Sequence, residues 1–225
     1  MLKIPAFASY PRLIHGFSTI QLGNMRRDGG DLLTEERRAF AEQLRLDPRC
    51  IAFMGAVHGA DTYKADHPGL YNYVDALVAD QRGLALFATF ADCYPILVYD
   101  PRRHVIGLAH AGWRGTAAGV ARVLVEATGS DPADLVAALG PGICAGCYQV
   151  SEAVAAEFPD GVKEPDEDGR WLLDLAEANR RQLIEAGLDP AAIHLHGACT
   201  KETPDLPSHR RDPDGTRFAC LLALG

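Results

Sequence analysis

The chain has 225 residues, 48% of them hydrophobic and 23% charged, with a formal net charge of −8. That charge argues against a general nucleic-acid or membrane surface, both of which need a basic footprint, but a local basic pocket stays open. No apolar run approaches the ~18 residues of a membrane-spanning helix, and no apolar stretch behind basic residues opens the chain as a secretory leader would. The six cysteines are scattered, so they read as reduced thiols of a cytoplasmic protein.

In chain order, residues 13–19 are expected to form a strand, followed by a Gly- and charge-rich loop over 21–31. Residues 34–46 carry a helical stripe, with Phe40 and Leu44 four apart and Thr34 as N-cap. Apolar runs at 51–57, 84–90, 96–99, 104–110 and 135–139 read as strands. A helix is expected over 115–128, ended by Gly129, and another over 174–186, capped by Asp174 and ended by Gly187. Residues 161–170 are acidic and read as a loop, and 217–222 as a last strand. Strands and helices mix without a strict βαβ rhythm, and no composition shift divides the chain. The expectation is one domain spanning 1–225, of α+β (mixed α/β) class.

Three of the strand-like runs end in reactive groups. Val57-His58-Gly59 ends one, Asp92-Cys93 another and His110-Ala111-Gly112-Trp113-Arg114-Gly115 a third. Strand ends hold side chains in fixed directions and leave them reachable. Two imidazoles and a thiol are also the ligand set of an open, catalytic zinc site, where water or substrate takes the fourth position. Against this stands the bland reading of three unrelated residues, since a free cysteine is often a small buried hydrophobe. Gly59 and Gly112 leave room beside the imidazoles, and Asp92 and Arg114 give the polar surroundings that a thiolate or metal favours.

Other motifs are weaker. Gly140-Pro141-Gly142-Ile143-Cys144-Ala145-Gly146-Cys147-Tyr148 holds a C-x-x-C with no second copy, so a four-cysteine zinc site is not expected and Cys199 stands as a lone third candidate. The loop reads better as backbone that approaches a ligand closely. His194-Leu195-His196 puts two imidazoles on one strand face, a pair more often found at a surface than on a metal. Ser208-His209-Arg210-Arg211-Asp212 is a compact basic cluster in an acidic chain, suited to an anion such as phosphate.

The order H-G, A-D-C, H-A-G-W-R-G, G-P-x-I, C-T and S-H-R-R-D resembles the YfiH-like laccase-domain family, also labelled multicopper polyphenol oxidases. The likeness runs from Ile14-His15-Gly16-Phe17-Ser18-Thr19 to the C-terminus. It implies layered mixed β-sheets flanked by helices, a fold shared with bacterial toxin cysteine deamidases. It also implies a zinc ion on His58, Cys93 and His110. The activity it implies is phosphorolysis of adenosine, inosine, guanosine and methylthioadenosine, with adenosine deamination as a side activity. Asp92 is then the first candidate to move protons, with Cys93 and His110 at the reaction centre. Arg114, His209, Arg210 and Arg211 are the candidates to bind substrate and phosphate. The partners implied are small molecules, with no nucleic acid or membrane and a monomer or homodimer left open. Departures fall in the substrate pocket: Ala56 stands where the family has Gln, Ile20 where it has Arg, and Leu206-Pro207 where an aromatic pair is usual.

The name laccase does not fit the residues, because a multicopper centre needs several H-x-H pairs and this chain has eight histidines and a single H-x-H. Copper is the alternative occupant of the His–Cys–His set, not favoured, and phenol oxidation through it would be incidental. Two other functions compete with phosphorolysis. In one, Cys93 is a nucleophile activated by His110 in a metal-independent amidase, deamidase or peptidoglycan-precursor hydrolase. In the other, a fourth ligand such as His194 or His196 closes the zinc site in a non-enzymatic regulatory protein.

Overall fold

The computed structural model describes residues 1–27 and 29–225. Its strands are β1 (Leu13–Phe17), β2 (Ile51–Gly55), β3 (Thr62–Lys64), β4 (Gly69–Asn72), β5 (Ala76–Ala79), β6 (Ala85–Phe90), β7 (Tyr94–Asp100), β8 (Val105–Ala111), β9 (Val136–Leu139), β10 (Gln149–Val150), β11 (Lys163–Pro165), β12 (Trp171–Leu173), β13 (Ile193–Leu195) and β14 (Phe218–Leu224). The helices are α1 (Glu35–Gln43), α2 (Trp113–Ala117), α3 (Val120–Thr128), α4 (Glu152–Ala155) and α5 (Leu175–Glu185). One sheet runs β1-β14-β6-β2-β4, a second β13-β9-β7-β8-β5-β3, and a small third one β10-β12-β11. The two large sheets mix parallel and antiparallel pairs.

Alternation along the strands explains the layering. Leu86, Ala88 and Phe90 of β6 and Phe218, Cys220 and Leu222 of β14 meet Leu97 of β7, Ile106 and Leu108 of β8 and Ala138 of β9 in a core between the large sheets. The intervening residues face outwards. Ala85, Phe87, Leu221 and Ala223 pack under Phe40 of α1 and its C-cap Leu44, while Val98, Ala109 and Ala137 pack under Leu124 of α3 and Leu183 of α5. Each large sheet is therefore covered on both faces at its centre, which is why its central strands are apolar at almost every position.

Most expected elements are present, with ends shifted by a few residues. Thr34 accepts the Arg37 amide at 3.4 Å and Asp174 the Glu177 amide at 2.9 Å, so both N-caps form as expected. The single helix expected over 115–128 is two: α2 stops at Ala117, and Gly119, at φ 83°, turns the chain before α3 begins. The region 161–170 is not all loop, since it contains β11. Strands β3, β4 and β5 fill the stretch 62–79, where no element is expected. The loop expected over 21–31 is pinned by the buried Arg37, whose guanidinium donates to the carbonyls of Met25 and Leu32; Asp28 of that loop lies outside the described residues. No helix among the described residues is long and apolar enough to cross a membrane.

Gly107 of β8 tests the outer packing. A methyl group there would lie 2.7 Å from Cγ2 of Val98 and 2.8 Å from Cδ1 of Leu124. Val98 is stiff about χ1 and cannot turn away. Gly107→Ala should therefore cost ~1–3 kcal/mol through overpacking, read as a lower urea midpoint at unchanged slope.

Candidate metal centre and its pocket

Strand pairing explains the spacing of the reactive residues. β7 and β8 form an antiparallel pair in which Pro95 lies opposite His110 and Tyr94 opposite Ala111. Cys93, directly before β7, therefore comes beside His110 near the end of β8. His58 arrives from the turn after β2, in the other sheet. The ligating atoms of His58, Cys93 and His110 all lie within 4.8 Å of one another, and the two imidazole rings sit 4.9 Å apart in an edge-on arrangement. Gly112 is the space they share: a methyl group there would lie 2.8 Å from Sγ of Cys93 and 3.3 Å from Cδ2 of His58.

The residue that organises this group is Asp75, which lies outside every motif of the sequence named above. It is fully buried and sits directly before β5, the strand paired with β8. Its carboxylate accepts the amides of Val57, His58 and Gly59 at 3.2, 2.8 and 2.7 Å. It also lies 3.3 Å from Nδ1 of His110. An ionised carboxylate can only accept, so Nδ1 donates and Nε2 is left free as the ligating nitrogen. The carbonyl of Asp75 accepts the His110 amide at 2.8 Å. His58 is held at φ 65°, a left-handed conformation uncommon outside glycine. The one sequence signal for Asp75 is a lone acid at the head of the apolar run Ala76-Leu77-Val78-Ala79.

Charge is concentrated here. Burial pushes the Cys93 thiol up, but His110 and His58 outweigh it and hold the thiol at about 6. Burial likewise pulls His110 down, while the Cys93 thiolate and the Asp75 carboxylate raise it to about 9. Asp75 is pushed up by burial, yet His110 and the amides of Gly59 and Val57 bring it below the ordinary carboxylate value. Without a metal these opposed shifts favour a thiolate beside an imidazolium. A metal displaces the ligand protons and takes their place.

A cavity of about 590 Å³ opens on the three residues, lined also by Asp92, Trp113, Arg114, Tyr148, His209, Arg210 and Arg217. It adjoins a second cavity of about 510 Å³, with Met54, Thr89, His209 and Arg217 common to both. Arg114 stacks on Trp113 at 4.2 Å, and Arg210 on Tyr148 at 5.1 Å. Asp92, at φ 80° and buried, accepts the hydroxyl of Thr200 on one oxygen and the amide of Arg210 on the other, both at 2.7 Å. Its carboxylate therefore ties loops together.

Some expected residues are placed elsewhere. Arg211 does not line this cavity. Its guanidinium donates to the carbonyls of Thr200, Lys201, Thr203 and Leu206 and pairs with Asp212, so it stitches its own loop. The helix behind Arg114 is the five-residue α2, too short for the helix-dipole support that a long helix over 115–128 would give an anion. His194 and His196 pack against Phe7 and Phe17 and belong to neither cluster of metal-ligating side chains among the described residues. Cys199 does not stand alone but lies against the Cys144–Cys147 loop.

The family described as multi-copper polyphenol oxidoreductase laccase matches residues 14–224. A purine nucleoside phosphorylase of Streptomyces coelicolor is 36% identical over 92% of this chain and 89% of its own length. One of Deinococcus radiodurans is 40% identical over 88% and 80%. The crystal structure of YlmD from Geobacillus stearothermophilus superposes with a TM-score of 0.89 at 32% identity, covering 96% of this chain and 93% of that one. A YfiH protein of Bacillus licheniformis, titled hypothetical, gives 0.89 at 30%, covering 96% and 94%.

Two outcomes test the centre. Asp75→Asn keeps the shape but weakens the acceptor of the His110 proton, and metal affinity should fall ~10–100-fold, measured by competition with a chromophoric chelator; unchanged affinity would remove Asp75 from the site. In metal-stripped protein, alkylation of Cys93, followed on its own peptide, should rise through pH about 6 and level off by neutrality. A rate still climbing near the ordinary thiol value of 9.0 would contradict the thiolate.

Proposed function

The chain belongs to the multi-copper polyphenol oxidoreductase laccase family, and we propose that it is a purine nucleoside phosphorylase carrying zinc on His58, Cys93 and His110. The observation that carries this reading is one cavity that joins that donor set to three arginines, Arg114, Arg210 and Arg217, and to His209. Relatives similar over nearly the whole chain bear the phosphorylase name.

The donor set fits zinc: two imidazoles and a low-lying thiol, with an acidic partner on the far side of His110. Copper would bind the same donors. Three protein ligands leave one position open, as in catalytic rather than structural sites. When bound, the ion supplies Lewis acidity beside the substrate.

In phosphorolysis an oxygen of inorganic phosphate forms a bond to C1′ of the ribose as the bond from C1′ to the purine nitrogen breaks. The electron pair leaves with the purine, which takes up a proton. The attacking dianion has to be held and its approach aligned, and guanidinium groups do this well. Arg210 suits the task because its backbone is fixed by Asp92, one of its nitrogens by the carbonyl of Gln149, and its face by Tyr148. Arg114 lines the same cavity, stacked on Trp113. His209 faces both cavities and is the side chain we assign to the leaving purine's proton. Asp92 acts as a positioning residue. Adenosine deamination would use the same cavity with water in place of phosphate.

A second reading keeps support from one observation. Cys93, held as a thiolate beside His110, is also the pair a cysteine amidase uses. Incubating metal-replete protein with inosine and with adenosine, with and without phosphate, separates the readings. Phosphorolysis releases hypoxanthine or adenine together with ribose 1-phosphate, and only with phosphate present. Inosine formed from adenosine without phosphate is deamination, and no change to either nucleoside overturns the nucleoside reading. Arg210→Ala and Arg114→Ala should each raise the phosphate KM ~10–100-fold, the loss of one charge-assisted hydrogen bond, with zinc content unchanged. Arg211→Ala should leave that KM alone and lower thermal stability instead, since its bonds stay within its own loop.

A further inference from the structure

We propose that Cys144, Cys147, Cys199 and Glu202 form a second metal site, separate from His58, Cys93 and His110, that takes a thiophilic divalent cation of the zinc class and braces the wall of the pocket. The four ligating atoms lie within 4.8 Å of one another. They come from two distant segments: the loop after β9 contributes Cys144 and Cys147, and the turn after β13 contributes Cys199 and Glu202. Each segment offers its pair at a spacing of three, the C-x-x-C rhythm of structural zinc sites with a carboxylate at the last place. In a zinc tetrahedron with bonds of ~2.3 Å, sulfurs stand about 3.8 Å apart. Small side-chain rotations suffice to close the set.

The surroundings suit a bound thiolate. Backbone amides of Cys144, Glu202 and Lys201 are turned towards the Cys199 sulfur. The Cys144 amide lies 3.3 Å from that sulfur. Amides aimed at a ligating sulfur are the support that metal-bound cysteines receive. The Cys147 thiol reaches Oε1 of Glu202 at 3.5 Å, so the carboxylate is already turned into the cluster. Apolar packing of three small side chains does not explain a carboxylate among them. Loading a divalent ion releases the thiol protons to solvent and leaves the set with a net charge of about −2. Arg211, on the carbonyls of Thr200 and Lys201, lies beside that charge.

The place of the cluster gives it a purpose. Gly142 and Cys199 form a parallel bridge, and the Thr200 amide donates to the Gly142 carbonyl at 3.0 Å. Thr200, next to Cys199, donates to Asp92, next to Cys93. Ile143, next to Cys144, donates its amide to the Asp92 carbonyl at 2.9 Å. Tyr148, next to Cys147, underlies Arg210. Both segments therefore touch the pocket through the residue adjacent to a ligand. A metal clamping them would fix Thr200, Asp92 and Tyr148 together.

The test is metal content, with zinc alone as the probe, in wild type and in Cys93→Ala. Wild type should hold about two zinc ions per chain and Cys93→Ala about one. Cobalt added to metal-stripped Cys93→Ala should give an intense thiolate-to-metal charge-transfer band, because the thiolates then come from the second cluster. Cys93→Ala with no bound zinc and no such band overturns the proposal. So does a chain isolated with Cys144 disulfide-bonded to Cys147 or Cys199 and no metal there, the outcome a redox C-x-x-C would give. Cys93→Ala/Cys199→Ser should lose the remaining ion. Should that variant not fold, Cys93→Ala/Glu202→Gln keeps all three thiols and should release zinc to a chelator at least ~10-fold faster than Cys93→Ala; an equal rate would remove Glu202 and with it the four-ligand site.

Discussion

A carboxylate sealed from water is costly unless every lone pair finds a donor, and the burial of Asp75 sets the terms for the rest of the site. Four donors converge on it: the amides of Val57, His58 and Gly59 and the ring of His110. Three consecutive amides can meet one carboxylate only if the backbone curls around it, which is why His58 takes a left-handed conformation. The cost of that conformation, about 1–3 kcal/mol, is offset by charge-assisted bonds of ~1.5–3 kcal/mol each. His58 follows a strand of one large sheet and His110 ends a strand of the other. Asp75 therefore fixes the two imidazoles relative to each other and locks the two sheets at the edge where the cavity opens.

Asp92 repeats the device on the other side of Cys93. It too is buried and left-handed, and its carboxylate gathers Thr200 and Arg210 while its carbonyl accepts Ile143. Cys93 thus sits between two buried carboxylates that act on different neighbours. Asp75 reaches it through His110, setting the charge of the ring that lowers the thiol. Asp92 reaches it through the backbone, setting where the next residue points. A side chain held by both charge and chain has little freedom, and a reaction centre needs that restraint.

The parts of this arrangement most readable in the sequence are its longest buried strands. β6, β7, β8 and β14 are covered on both faces, so they appear as continuous apolar runs, and the reactive residues stand out at their ends. β3 and β4 are short edge segments with exposed and half-buried residues and leave no such trace. The helix over 115–128 looked continuous because Gly119 costs only about 1 kcal/mol within a helix, too little to announce the break that its positive φ makes. Arg210 and Arg211 are indistinguishable as letters, yet the loop turns one towards the cavity and the other onto four carbonyls of its own segment. Asp75 escaped because its importance lies in partners 16 to 35 positions away, a distance at which local pattern carries no signal.

The two clusters of side chains that could hold a metal differ in donor count, and that difference would separate their work. Around His58, Cys93 and His110 the carboxylate stands behind one of the three, hydrogen-bonded to Nδ1 of the ring, so a metal there would keep a position free for substrate. Around Cys144, Cys147 and Cys199 the carboxylate of Glu202 is itself among the ligating groups, so the set closes on itself. An ion with four protein ligands holds structure, and one with three meets substrate. The link between them is short: Cys199 adjoins Thr200, Thr200 bonds to Asp92, and Asp92 adjoins Cys93. A closed site there would stiffen one end of this path and limit how far Cys93 drifts at the other, without entering the cavity.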